Sequence, residues 1–386
     1  MPKGGYGPLA KTIKVGYMRR TVCILLCFLC IGHASGYGAS ARTPVERWRP
    51  IGMRDLSIGM EVVLTYDDNI FRYSSEDIDT FVNNRDSHRF PIESYDDLIT
   101  TLTVRGKLRK YIIEDKMTTF NVKYSQHQYG VNSEKDYQIL SCNIWQRVSD
   151  TFTVQAGYIL LPRYFIRYYP DYDLPRDEDG HLRYEGCYFK EHLFRIKGMT
   201  TQWESVRFEA TFGREIDDYN DNFNEYDTRA NRFGIGAIIP LRKGLEFTLT
   251  YGFKNAWAQG YDGPGEDKET SDDPDISYDQ DSFGVSGSLD CGRLLLVPTT
   301  WEAAYEYRRK YFTTDKSIAE DPYHSGRVDE DHRAWVGLHV TVNPVLSAAL
   351  TYCHRLRDVS SSQKAHIEEI KNYRSNRFSL GMTLNY

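Results

Sequence analysis

From residue 55 onward, apolar and polar positions alternate with a period of two. Leu56, Ile58, Met60, Val62, Leu64 and Tyr66 alternate with Ser57, Gly59, Glu61 and Thr65, and Leu245, Phe247, Leu249, Tyr251 and Phe253 with Glu246, Thr248, Thr250 and Gly252. Successive side chains of a strand point to opposite faces, so each such run has one apolar and one polar face. The pattern predicts fourteen strands, at 55–66, 97–110, 117–128, 137–148, 151–162, 184–198, 203–216, 227–239, 244–257, 277–290, 297–312, 329–342, 346–357 and 373–386. Most run to 12–16 residues. Strands of soluble proteins average about 5–6, whereas a tilted strand crossing a bilayer needs about 9–11.

The connections carry a second pattern. Every odd-numbered connection is longer than every even-numbered one; the shortest odd one has 8 residues and the longest even one 6. Short turns at one end and long loops at the other are the mark of a transmembrane barrel. The turns have fitting chemistry, as in Pro240–Gly244 and Asn343-Pro344. An even strand count lets the last strand close antiparallel on the first. The expected fold is all-β, a single closed antiparallel transmembrane β-barrel of about fourteen strands. No segment reads as an amphipathic helix. The first connection, thirty residues long, is long enough to fold inward.

The N-terminal region reads differently. Met18-Arg19-Arg20 is a basic start, Thr21–Gly32 a short apolar core, and Ala39-Ser40-Ala41 an A-x-A cleavage site. That is the grammar of a secretory signal, and twelve apolar residues are too few to span a bilayer. The expected organisation is a signal peptide over 1–41 (with Met18 as an alternative start), a periplasmic stub over 42–54 and the barrel over 55–386. The 386 residues carry 48 Lys+Arg against 54 Asp+Glu, a net charge of −6. Residues 1–41 hold five of the basic groups and no acid, so the remainder stands at −11, which argues against a nucleic-acid binder. With 14% aromatics the chain is not disordered. Cys142, Cys187, Cys291 and Cys353 share no metal or redox spacing, and no cofactor or metal is expected.

Two runs resemble known families. Arg377–Tyr386, with Phe378, Leu380, Met382, Leu384 and Tyr386 on one face, resembles the C-terminal signal of bacterial outer-membrane barrels. That resemblance implies recognition by the barrel assembly machinery and residence among outer-membrane lipid and lipopolysaccharide. Leu64-Thr-Tyr-Asp-Asp-Asn-Ile-Phe-Arg72 resembles an early run of the second-type β-barrel porin family. Some members of that group are encoded beside exopolysaccharide export systems, which implies a passive channel or a glycan export conduit. The family brings no catalytic residues.

If the alternation holds, the lumen is legible. Inward basic candidates include Arg105, Lys107, Arg308, Lys310, Arg333, Arg355, Arg357 and Arg377, and the acidic candidates include Glu61, Glu302 and Glu306. Six of the basic groups come from the last four strands and fall toward the long-loop end. A basic lumen favours small anionic solutes or an anionic glycan. The alternatives are an arginine–carboxylate network that only holds a polar interior together, or a structural, surface-binding barrel plugged by its loops. The acidic run Asp217–Asp227 alternates oxygen ligands but lacks the ordered pattern of a calcium loop. The runs Ser125-Gln-His127 and Asp86-Ser-His88 hold hydrolase residue types, but sequence adjacency does not make a triad. The chain is therefore read as a channel, not an enzyme.

Overall fold

The computed structural model describes residues 55–113, 116–171, 175–176, 180–202, 206–294, 297–361 and 364–385. The expected signal over 1–41, the expected stub over 42–54 and Tyr386 lie outside the described residues. Among those described, fourteen strands form one closed barrel in simple up-and-down order. They are β1 (Leu56–Asp67), β2 (Asp97–Ile113), β3 (Lys116–Tyr129), β4 (Tyr137–Arg147), β5 (Phe152–Asp171), β6 (Arg183–Gln202), β7 (Val206–Tyr219), β8 (Thr228–Arg242), β9 (Leu245–Ala258), β10 (Tyr278–Leu294), β11 (Val297–Phe312), β12 (Val328–Thr341), β13 (Leu346–Ser360) and β14 (Tyr373–Asn385). β1 pairs antiparallel with β14 from Gly59↔Asn385 to Asp67↔Arg377, so no edge is left open. Turns of two to four residues lie at one end, and loops of seven or more at the other.

The two faces differ as the alternation requires. Ile58, Val104, Ile196, Ile235, Leu249, Phe283, Leu350, Phe378, Leu380 and Met382 all stand exposed on the outer wall. Leu384 continues that row, half-buried between Met60 and Leu346. Toward the long-loop end, outward tyrosines take polar partners: Tyr66 donates to Asp96 at 2.8 Å, Tyr251 to Asp281 at 2.7 Å and Tyr307 to Glu330 at 2.8 Å, while Tyr305 bonds His332 at 2.7 Å. An apolar ring capped by a bonded hydroxyl suits a boundary between hydrocarbon and water.

Two strands outrun their sequence reading the most. β5 continues to Asp171 and β6 spans 183–202, and their ladder shifts register between Leu161 and Tyr164 and again between Phe165 and Arg167. Each bulge flips the face on which the next side chain emerges, so the period of two breaks after Leu161. Pro162, which cannot donate to the ladder, sits in the first bulge.

The expectation of no helix is corrected. α1 (Ser75–Val82) lies in the first long loop, and α2 (Lys364–Lys371) lies in the last. Ser74 caps α1 by accepting the Asp77 N–H at 3.0 Å. Both helices span only two turns, too short for a helical period to stand out from loop composition.

Candidate lumen site and loop plug

The first loop turns inward and packs. Ile70, Phe71, Tyr73 and Phe90 are buried together with Ile99 of β2 and Phe165 of β5, and Ile78 and Phe81 of α1 pack on them. Phe71 stacks on Tyr73 at 5.3 Å, and Tyr73 meets Phe90 edge-on at 5.2 Å. Such ring pairs contribute about 0.5–1.5 kcal/mol each beyond the area they bury. The barrel's main apolar core is thus a plug inside its own mouth.

The run Tyr66–Arg72 fastens this plug. Asp67 is fully buried, holds Arg377 Nε at 2.5 Å and accepts from Ser375 Oγ at 2.8 Å and the Asn69 N–H at 3.0 Å. Asp68 accepts from the backbone and side chain of Asn376, the latter at 2.7 Å. Asn69 closes a side-chain ring with Tyr73, accepting its N–H and donating to its carbonyl, both at 2.8 Å, and also donates to the Arg374 carbonyl at 3.0 Å. Ile70 and Phe71 enter the core. Arg72 sits at φ 56°, a left-handed turn that bulky residues seldom adopt. The clamp on either side of it aims its guanidinium at the wall.

Lys135 locks the other flank. It lies in the short turn Ser133–Lys135 between β3 and β4, nearly devoid of solvent exposure. Its Nζ donates to the carbonyls of Phe165 at 2.8 Å and Ile166 at 3.1 Å. The β5 bulge leaves Ile166 out of the ladder, which frees its carbonyl for this donor. Burial pushes the Lys135 ammonium down to about 8.

On the wall facing Arg72, four of the basic residues read from sequence come together. Arg308, Arg333, Arg355 and Arg357 line a cavity of about 90 Å³ with Arg72, Glu306 and Asp331. Their partners differ. Glu306 gives both oxygens to Arg308, at 2.9 and 3.0 Å. Asp331 does the same for Arg357, at 3.0 and 3.1 Å. Arg377 lies with Asp67, and Lys310 rests over the Tyr278 ring at 4.0 Å. Arg333 and Arg355 face each other directly across the β12–β13 ladder. Among the described residues neither they nor Arg72 have a carboxylate within ion-pair distance, and Arg333 Nε is buried without an acceptor.

Several sequence expectations change here. Glu302 pairs with His339 at 3.3 Å, not with an arginine of this wall. Glu61 pairs with Arg105, and among the described residues Lys107 has no ion pair. Inward acids were also undercounted: Asp67, Glu215, Asp329 and Asp331 all take basic partners. They share the parity of neighbouring inward residues but sit near strand ends, where the alternation is read least securely. Arg72, Arg333 and Arg355 thus stand together on one wall with no carboxylate of their own among the described residues.

Nearer the loops lies a larger cavity of about 760 Å³, lined by Arg167, Tyr169, Phe223, Lys310, Arg327 and Lys371 among others. The hydrolase pairs do not assemble. His127 bonds Thr101 at 2.9 Å and stacks on Tyr137, and Ser125 bonds Thr103 at 2.9 Å. His88 stacks on His181 at 4.5 Å. The Asp217–Asp227 run forms no metal-sized cluster among the described residues; the acids that do approach one another are Asp262, Glu266 and Asp273 in the fifth loop.

No family model matches the sequence, and no curated protein matches it. The chain is similar in structure to the outer membrane channel DcaP of Acinetobacter baumannii, at 11% identity and a TM-score of 0.46, over 86% of this chain and 96% of that one. OmpT, an outer membrane protein of Vibrio cholerae, gives 10% and 0.44 over 86% and 97%. An anion-selective porin from Comamonas acidovorans gives 7% and 0.41 over 86% and 98%. Likeness at this level bears on neither substrate nor mechanism; the barrel and its closure rest on this chain's own register.

Proposed function

We propose that this chain is an outer-membrane, porin-like channel whose mouth is narrowed by its own first loop and whose arginine wall favours small anionic solutes. One observation carries the reading: the barrel is closed, apolar outside, and lined inside by charged groups that stay half-exposed, such as Glu302 at 36% and Arg308 at 44%. Lipid suits the first face and water the second. Short turns would face the periplasm, and the outward row ending in Phe378, Leu380, Met382 and Leu384 would engage the assembly machinery and then lipid and lipopolysaccharide. The export-conduit form of the reading rests on the Leu64–Arg72 resemblance alone. A role without chemistry is supported by Ser125 and His127 each being held by a threonine.

The test is single-channel recording of the refolded protein. A stable open level is expected, with a reversal potential displaced toward anions in a salt gradient. Neutralising Arg333 and Arg355 together should move it toward cations; an unchanged potential in a folded variant overturns the anion preference. The packed cluster around Phe71 and Phe90 favours a second reading, a non-conducting surface barrel. A folded barrel that stays silent supports it.

A further inference from the structure

We propose that Arg72, Arg333 and Arg355 form a discrete binding site for one small oxyanion, and that the bound ion staples the plug to the β12–β13 wall. The inference deepens the channel reading by naming a ligand class and a site.

Three observations converge on it. The first is charge. Five guanidinium groups line the small cavity against two carboxylates, and both carboxylates are spent in bidentate pairs with Arg308 and Arg357. Like charges directly opposite in a ladder destabilise it, so the Arg333–Arg355 pair costs stability unless an anion compensates it. The second is an unmet donor: Arg333 Nε is buried and has no acceptor. The third is preorganisation. Arg72 comes from the plug, not the wall, and the Asn69–Tyr73 clamp holds its backbone in the left-handed turn. Planar guanidinium groups from separate elements can each give two N–H donors to an oxyanion. At about 90 Å³ the cavity suits phosphate, sulfate or a single carboxylate. Because Arg72 belongs to the loop and the others to the barrel, binding favours the closed plug.

The experiment uses calorimetry on the refolded barrel, titrated with inorganic phosphate and with sulfate against chloride at constant ionic strength. One site per chain is expected. R72Q and R355Q should each weaken binding at least tenfold, while R85Q, an exposed change elsewhere in the same loop, should not. R72Q alters only the loop and keeps the test open if a wall variant fails to fold. Phosphate should also slow amide exchange over residues 68–96. A glucuronate arm separates the sources: displacement of phosphate assigns a carboxylate-bearing glycan, and inertness assigns the free inorganic ion. Absence of phosphate binding, or equal binding by both variants, overturns the site. A barrel that conducts without binding phosphate loses this site but remains a channel. A silent barrel that binds phosphate through Arg72 keeps the site and loses the channel.

Discussion

Asp67 and Arg377 face each other across the seam that closes the barrel, with 2.5 Å between carboxylate and guanidinium. They are direct register partners on the first and last strands. The same carboxylate binds Ser375 of β14 and the Asn69 amide of the plug, so one fully buried side chain joins both ends of the sheet to the loop that fills it. Removing one partner of a buried pair leaves the other uncompensated, at about 3–5 kcal/mol, whereas replacing both costs much less. Asp67→Asn should therefore lower the urea midpoint of the folded barrel substantially. The double variant Asp67→Asn with Arg377→Met should recover much of the loss. Simple additivity of the two single changes would show that the pair does not clasp the seam.

The plug makes a separate prediction. Phe71 and Phe90 are 2% and 5% exposed, and each touches Tyr73. Truncating a buried Phe costs about 3–5 kcal/mol, here charged to the loop and not to the barrel wall. Phe71→Ala with Phe90→Ala should leave the strands intact and loosen residues 68–96. Single-channel conductance should rise several-fold, or appear where the parent is silent. Unchanged conductance with faster amide exchange in the loop would mean that the plug does not set the constriction.

The strands were legible in the sequence because an apolar outer wall enforces one period along every strand, as in Phe378–Leu384. Legibility stopped where that constraint stops. The β5 extension past Leu161 was hidden by its bulges. Arg72 stood inside a recognised run, yet nothing in local pattern says that a loop turns inward. The basic wall itself was readable, since Arg308, Arg333 and Arg355 each fall on the inward face of their own strand's alternation. Their partners were not, because pairing depends on register between strands: Glu306 lies directly opposite Arg333 yet binds Arg308 on its own strand.

The loop cover should respond to pH. Lys371, at the end of α2, faces the larger cavity over the rings of Tyr323 at 5.8 Å and Tyr169 at 5.9 Å. Burial, reinforced by Arg167 and Arg327 and only partly offset by Asp329 and Asp77, pushes its ammonium down to about 7. Once the loops open, the side chain regains an ordinary value near ~10.4. Between those values the open state binds more protons than the closed one. The closed cover therefore strengthens as pH rises through that window, and opening gains as pH falls toward 7. Lys135 has the same sign but enters only above about 8. Opening measured by amide exchange over 68–96 and 361–372, corrected for intrinsic rates, should fall by up to about tenfold per pH unit. Lys371→Met should flatten the slope between pH 7 and 8. A slope that survives this change there would place the titration elsewhere.

Neighbouring residues of the last strand give the cleanest test of which face meets lipid. Leu380 stands 54% exposed on the outer wall, between Leu64 and Leu350 in register. Ser379 points the other way and hydrogen-bonds Thr65 across the seam at 2.9 Å. A lysine on the lipid face near mid-membrane costs about 2–4 kcal/mol, whereas one in a water-filled lumen costs little. Leu380→Lys and Ser379→Lys change the composition and charge of the strand almost identically, so only the face distinguishes them. Leu380→Lys should reduce the heat-modifiable, folded form in outer membranes and in refolding assays. Ser379→Lys should assemble close to normally, losing one hydroxyl contact. Equal assembly of the two variants, or the reverse order, would show that the outer wall does not face hydrocarbon.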